Sequence, residues 1–331
     1  MNMILQLMVI QMIHSQHFDI YAASCIEDGG IVKYKFSDGT LEYQYKIPLD
    51  RPMYIEVKNG VLSATLREIC CNNSGFIRIS DNNHSLIATK TQNTLGRCAA
   101  HFCTVNDDVY CANYLSGNIV KLPNRVVFHH GHGKFPDRQE APHPHFICEA
   151  PDGKLLVCDL GIDKIVVYTK ELEKTNEITL PGGRGPRHLA IDKQTGYVYC
   201  ANELSSSVTV LEYNVGNLCV KGEYNTLFQS STNNFPAAIR LYNDILFVSN
   251  RGDNSVSVFK VYKDGLDLRE VTPCGGVWPR DINIFGGYLL CANEMSDNIS
   301  VFKIDDGKLK EYGHTELKKP VCVVGQMING V

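Results

Sequence analysis

Apolar and polar residues alternate along this chain in short bursts, broken every few residues by Gly, Asn, Asp or Ser, a pattern of strands and tight turns. Five segments superpose without gaps: YCANYLSGNIVKL from Tyr110, LVCDLGIDKIVVY from Leu156, YCANELSSSVTVL from Tyr199, FVSNRGDNSVSVF from Phe247 and LCANEMSDNISVF from Leu290. Each is an apolar strand, a polar turn and a second, alternating strand. The Asn or Asp that closes the first strand falls at 113, 159, 202, 250 and 293, a period of 43 to 48 residues that suits four short strands per repeat. Weaker copies near Ile20 and Val61 bring the repeats to seven. A second landmark, a Pro or a Gly-Arg pair in its place, opens another apolar strand at Pro52, Arg97, Pro144, Pro186, Pro236, Pro279 and Pro320. Proline suits a first strand position because it has no amide to give the ladder.

The predicted fold is therefore all-β, a seven-bladed propeller with four-stranded blades. Its two ends complete one another. Pro320 opens a lone strand with nothing after it, whereas Asp19 to Ser24 forms a second strand with no opener before it. The late strand and three early ones should share a blade, which closes the ring and removes its open edges. Residues 18–331 form one propeller domain, and residues 1–17 an extension that it does not need. The apolar stretch from Met3 to Ile13 lacks a preceding Lys or Arg and is interrupted by Gln6 and Gln11, unlike a signal peptide. The charged run Lys170 to Glu177 fits a hairpin turn.

Composition narrows the functional classes. The net charge is −4, so no positive field gathers nucleic acid or an anionic membrane. No apolar stretch reaches spanning length, and a soluble, cytoplasmic protein, monomeric or weakly self-associating, is expected. Among the thirteen cysteines, Cys111, Cys200 and Cys291 recur at one repeat position inside apolar runs, as small core residues do, and neither they nor Cys70-Cys71 have zinc-ligand spacing. His143-Pro144-His145 is a poor chelate because the proline fixes the backbone. No metal and no cofactor are expected. The Gly182-Gly183-Arg184-Gly185 run lacks the strand-to-helix setting of a phosphate-cradling loop, and no GxSxG or Cys/His pairing suggests covalent catalysis.

In a propeller the innermost strand starts at the face where the next strand ends. Residues just after the two landmarks should therefore line one central mouth. From the openers these are Met53, Cys98, His145, Arg187 with His188, Ala237, Arg280 and Val321; from the strand ends, Ser24, Glu68, Tyr114, Leu160, Glu203, Arg251 and Glu294. The polar members fall in consecutive repeats: His145, Arg187, His188, Glu203, Arg251 and Arg280. Guanidinium forks suit carboxylate or phosphate, so the expected ligand is an anionic small molecule. His145 and Glu203 are acid/base candidates. Glu203 among arginines should be ionised but weakly basic, and His145 should titrate nearer neutrality.

The segments RQEAPHPH from Arg138, GPRHLAI from Gly185, YCANELSSSVTV from Tyr199, FVSNRGDNSVSVF from Phe247 and WPRDINI from Trp278 together resemble the lactonase family of seven-bladed propellers, which includes bacterial-type 6-phosphogluconolactonases and fungal carboxy-muconate cyclases. The resemblance runs from about Ile20 to Val324. It implies metal-free opening of a sugar lactone, most simply 6-phosphogluconolactone, or lactone formation from a muconate. It further implies His145, Arg187, Glu203 and Arg251 as catalytic residues, and Arg138, His143, His188 and Arg280 are the expected substrate-binding set. The family's frequent Cys-His is Cys98-Ala99 here, its Gly-Thr-Tyr is Ala22-Ala23-Ser24, and its Asn-Gln is Asn293-Glu294. A non-catalytic interaction propeller is the alternative of another class. It would want an apolar or aromatic mouth, whereas this one sets Tyr114 and Met53 among clustered charged residues.

Overall fold

The computed structural model describes residues 16–328, apart from 70–71, 83–84, 230, 232 and 264. Most of the extension and the Cys70-Cys71 pair thus lie outside the described residues. Seven antiparallel sheets are arranged in a ring. Their innermost strands are Pro52–Lys58 in blade 1, Ala99–Val105 in blade 2, Pro144–Glu149 in blade 3, Pro186–Ile191 in blade 4, Phe235–Tyr242 in blade 5, Pro279–Phe285 in blade 6 and Pro320–Met327 in blade 7. Each blade has four strands, and blade 1 adds the two-residue Gln92–Asn93. Blade 7 is the shared one. Pro320–Met327 pairs with Phe18–Ser24, which continues into Gly30–Ser37 and Thr40–Pro48.

Alternation along the strands sends apolar side chains to both faces of each sheet, and both faces are covered by neighbouring blades. Seven apolar clusters result, one per blade interface. Between blades 4 and 5, for example, Val208 and Val210 meet Ile239, Leu246 and Phe259. Burying each such side chain contributes about 1.5–3 kcal/mol. Cys111, Cys200 and Cys291 are fully buried free thiols, in keeping with their repeat position.

The Asn landmark has a physical reason. Asn113, Asn202, Asn250 and Asn293 are wholly buried at the end of the second strand, where the backbone turns away and leaves polar groups to satisfy. Asn202 Nδ2 donates to Ser207 Oγ (3.0 Å) and Thr209 Oγ1 (2.8 Å), and Asn250 Nδ2 donates to Ser255 Oγ (3.1 Å) and Ser257 Oγ (2.6 Å). The amide thereby ties the second strand to the third. In blade 3 the position is Asp159, which caps the short 3-10 turn Leu160–Ile162 and accepts from the His143 amide at 2.7 Å. Its other oxygen lies 2.6 Å from His129 Nδ1, and the Tyr168 hydroxyl lies 2.8 Å from the far nitrogen of that ring.

No helix among the described residues is long and apolar enough to cross a membrane. Replacing Asn250 by Ala should cost about 1–3 kcal/mol, because buried serine hydroxyls lose a partner. A lowered denaturant midpoint with unchanged far-UV circular dichroism is the expected result.

Candidate functional site at the mouth of the ring

Every innermost strand begins with the same irregularity. Pro186 pairs with Asn202 and His188 with Ala201, so Arg187 is passed over; His145 and Arg280 are passed over in the same way, as are Met53, Ala100 and Val321. Blade 5 skips both Ala237 and Ala238. Such a bulge re-aims a side chain that regular pleating would send into a blade interface. Six of the bulge residues, Met53, Ala100, His145, Arg187, Arg280 and Val321, line one small axial cavity of about 30 Å³.

A second contact fixes the strand ends. The residue after each Asn landmark donates its amide to the residue before the opener: Tyr114 to Cys98 (2.9 Å), Glu203 to Gly185 (2.8 Å), Glu294 to Trp278 (3.0 Å) and Leu160 to His143 (3.1 Å). The acceptor residue is left-handed at Cys98 (φ 55°), Gly185 (φ 59°) and Trp278 (φ 65°). A Cβ at Gly185 would lie 2.6 Å from the Leu204 side chain.

This register corrects three expected mouth positions. In blade 2 the opener is Ala99, so Ala100 rather than Cys98 is the bulge residue. In blade 1 Leu66 pairs with Pro52 and the Arg67 amide donates to Arg51 (2.9 Å), which puts Arg67 rather than Glu68 at the strand-end position. In blade 7 the Cys25 amide donates to Lys319 (3.1 Å), so Cys25 replaces Ser24. Neither blade 1 nor blade 7 has the Asn landmark.

Glu203 is the hub of the site. Its carboxylate, 3% exposed, receives Arg138 on Oε1 and Arg251 on Oε2, while Arg187 Nε lies 3.1 Å from Oε2. That last contact falls outside hydrogen-bond alignment, and the Arg187 Nε–H is a buried donor with no acceptor among the described residues. Arg187 is aimed by its Nη1, which donates to Ala237 O at 2.8 Å; Arg251 Nε donates to Phe235 O at 3.2 Å, and its guanidinium stacks 5.4 Å from the centre of the Trp278 ring. Arg138 arrives from the loop before blade 3. Fully buried Gln139 anchors that loop by accepting from the Lys134 and Phe135 amides and donating to Leu160 O (2.8 Å). Across the mouth Arg280 donates to Glu294 at 3.0 Å.

Burial would raise the Glu203 carboxyl, but Arg251, Arg187 and Arg138 overcome it and hold it well below the usual carboxylate range. Burial, with Arg251, pulls Arg187 down to about 9, which leaves it charged at neutral pH. His145 is also lowered, by burial first and then by Arg187, against an opposing pull from Glu203. The imidazole is therefore neutral at pH 7, contrary to the expectation that it titrates near neutrality. His145 and Tyr114 meet edge to face at 5.7 Å.

The remaining histidines are engaged elsewhere. His143 stacks on Tyr114 at 4.3 Å, with Nδ1 2.9 Å from Tyr114 O and Nε2 3.1 Å from Glu140. His188 belongs to a layer of rings across the axis below the mouth, where Tyr54, His101, Phe146 and His188 follow one another at 4.0, 4.1 and 4.2 Å between centres. Its Nε2 meets Arg240 at 3.1 Å, and Arg240 in turn donates to Asp281 at 2.9 Å. The glycine-rich loop before blade 4 is closed to ligands: the Asp163 carboxylate already takes the Gly183 and Gly185 amides, both at 2.7 Å. Among the described residues no group of three or more His, Cys, Asp or Glu has metal-site geometry.

Comparison with known proteins agrees with this architecture. The profile of the family described as lactonase, seven-bladed beta-propeller, matches residues 19–325, and the chain belongs to that family. Lactone hydrolysis is thereby its general chemistry. An uncharacterised protein of Staphylococcus aureus (strain bovine RF122 / ET3-1) is 35% identical over 231 residues, which are 65% of this chain and 67% of that protein. A Lactobacillus plantarum crystal structure superposes with a TM-score of 0.87 at 27% identity, covering 94% of this chain and 99% of that one. The periplasmic gluconolactonase of Pseudomonas aeruginosa shares the fold, with a TM-score of 0.83 at 22% identity and coverage of 93% and 99%.

The pH dependence of stability follows from the buried imidazoles. His101, His145 and His188 are all lowered from the ordinary value of 6.5 by burial, with Arg240 or Arg187 next. Their contribution is whole above that value and is lost as pH falls, because only the unfolded chain takes up the protons. Urea midpoints should fall between pH 7.5 and 5.5, and the double change His101→Gln with His188→Gln should flatten the slope.

Proposed function

We propose that the mouth hydrolyses a sugar lactone, most simply 6-phosphogluconolactone to 6-phosphogluconate. The observation that carries this reading is the Arg187 Nε–H, a buried charged donor 3.1 Å from Glu203 Oε2 but out of hydrogen-bond alignment with it, on a guanidinium aimed by Ala237 O and placed beside the neutral imidazole of His145. Such a donor suits an oxygen that gains negative charge. Water adds to the lactone carbonyl carbon and gives its proton to His145. The oxyanion is held by Arg187, the ring C–O bond then breaks, and His145 returns the proton to the departing alkoxide.

Glu203 is poorly suited to be the base. With Arg138, Arg187 and Arg251 on one carboxylate, its proton affinity is too low, and its role is to hold the guanidiniums in place. His145 is a weak base in the free protein because burial, and then Arg187, lowers its proton affinity. An anionic substrate offsets the local positive charge and raises its proton affinity at the moment it is needed. The arginines Arg138, Arg187, Arg251 and Arg280 outnumber Glu203 and Glu294, which favours an anionic lactone over a neutral one. The free thiols of the described cysteines fit a reducing compartment such as the cytoplasm.

In a pH-stat assay corrected for spontaneous ring opening, Arg187→Ala should lower kcat/KM by about 10²–10³ and His145→Ala by about 10²–10⁴. Wild-type rates in both variants would sink the assignment. Running a phosphorylated lactone beside a carboxy-muconate separates hydrolysis from the cyclase chemistry of the same family.

The acid limb of kcat/KM should lie below pH 6.5, the ordinary imidazole value. Glu203→Gln should move it lower still, since that carboxylate raises the proton affinity of His145.

A further inference from the structure

Arg67 stands apart from the other arginines of the mouth. The backbone register gives it the position that Glu203, Arg251 and Glu294 hold in their blades, at the same end of the ring. Its carbonyl accepts from Ser74 Oγ at 2.7 Å and its amide donates to Arg51, so the backbone is pinned on both sides. Its guanidinium nevertheless meets no carboxylate among the described residues, whereas Arg138, Arg187 and Arg251 share Glu203 and Arg280 has Glu294. In ring order Cys25 at the strand end of blade 7 stands between Arg280 of blade 6 and Arg67 of blade 1, and its thiol meets Met53, which lines the axial cavity with Arg280. The mouth therefore has two ends. Blades 3 to 5 supply His145, Arg187, Glu203 and Arg251, and blades 6 and 1 supply a separate pair of cations.

We propose that Arg67, together with Arg280, forms a subsite for a second anionic group on the substrate, the phosphate of a phosphorylated lactone. The inference rests on the lactonase reading above and adds the residue that selects among lactones. Arg280 gives Nη1 to Glu294, and Arg67 adds a guanidinium that meets no carboxylate among the described residues. An exposed guanidinium forms two parallel N–H···O bonds to such a group without first breaking an internal ion pair.

The full-length protein carries its own reporter, because its single tryptophan is Trp278, at the mouth beneath Arg251. Trp278 fluorescence titrated with inorganic phosphate should give a dissociation constant at least tenfold weaker in Arg67→Gln than in the wild type, with most of the affinity restored in Arg67→Lys. The ratio of kcat/KM for 6-phosphogluconolactone over gluconolactone should fall about tenfold or more in Arg67→Gln. Equal phosphate affinity in wild type and Arg67→Gln, no phosphate response in the wild type, or an unchanged ratio would overturn the subsite. Phosphate binding that depends on Arg67 in a protein that opens no lactone would leave the subsite standing and remove the lactonase reading instead. Arg67 is exposed, so the variant should melt like the wild type.

Discussion

The unpaired residue that follows the opener of each inner strand governs what this ring presents along its axis. Regular pleating would have sent His145, Arg187 and Arg280 sideways between blades, where an unpartnered charge costs several kcal/mol. The bulge turns them inward instead, and the backbone bond from the strand end to the residue before the opener sets Glu203 and Glu294 opposite them, as the Phe235–Arg251 pair does for Arg251. In blades 1, 2, 4, 6 and 7 a left-handed residue precedes the opener. Trp278 adopts that conformation despite its size and the proline after it, at an expense of about 1–3 kcal/mol that only a rigid surrounding sustains.

The electrostatics are a consequence of that geometry. Three guanidiniums on one buried carboxylate would repel one another without it, and Glu203 alone among them would be lost to burial. Together they form a fixed positive field whose orientation is settled before any ligand arrives. The aromatic and imidazole layer beneath separates this mouth from a hollow of about 470 Å³ on the opposite face, so the field works in a closed-bottomed basin.

Most of the fold was legible in the sequence because the repeat writes each blade several times over. The Asn landmark is buried where the alignment put it, and the shared blade joins Asp19 to Ser24 with the strand after Pro320. The site was legible where both landmarks survive, which is why His145, Arg187, Glu203, Arg251 and Arg280 come together. Blades 1 and 7 lack the Asn, and a slip of one residue there hid Arg67 and Cys25 behind Glu68 and Ser24. A bulge leaves no mark in the pattern, so His188, one residue past it, could not be separated from Arg187. Gln139 holds a loop outside the repeat, and Arg240 and Asp281, although each follows an opener, meet across blades 5 and 6 through side chains that the repeat does not pair.

Closure of the ring also sets a schedule for synthesis. Ser24 Oγ donates to Lys318 O across 294 residues of chain, and the whole edge of Phe18–Ser24 is covered only by Pro320–Met327. At ordinary translation speed that edge waits on the order of 15–60 s for its partner. An early strand with bare backbone groups is a template for any other strand nearby. Six blades can collapse on one another in the meantime, but the seventh cannot form until its last strand leaves the ribosome. The longest-lived hazard for this protein is therefore a nascent chain that is nearly, but not yet, a circle.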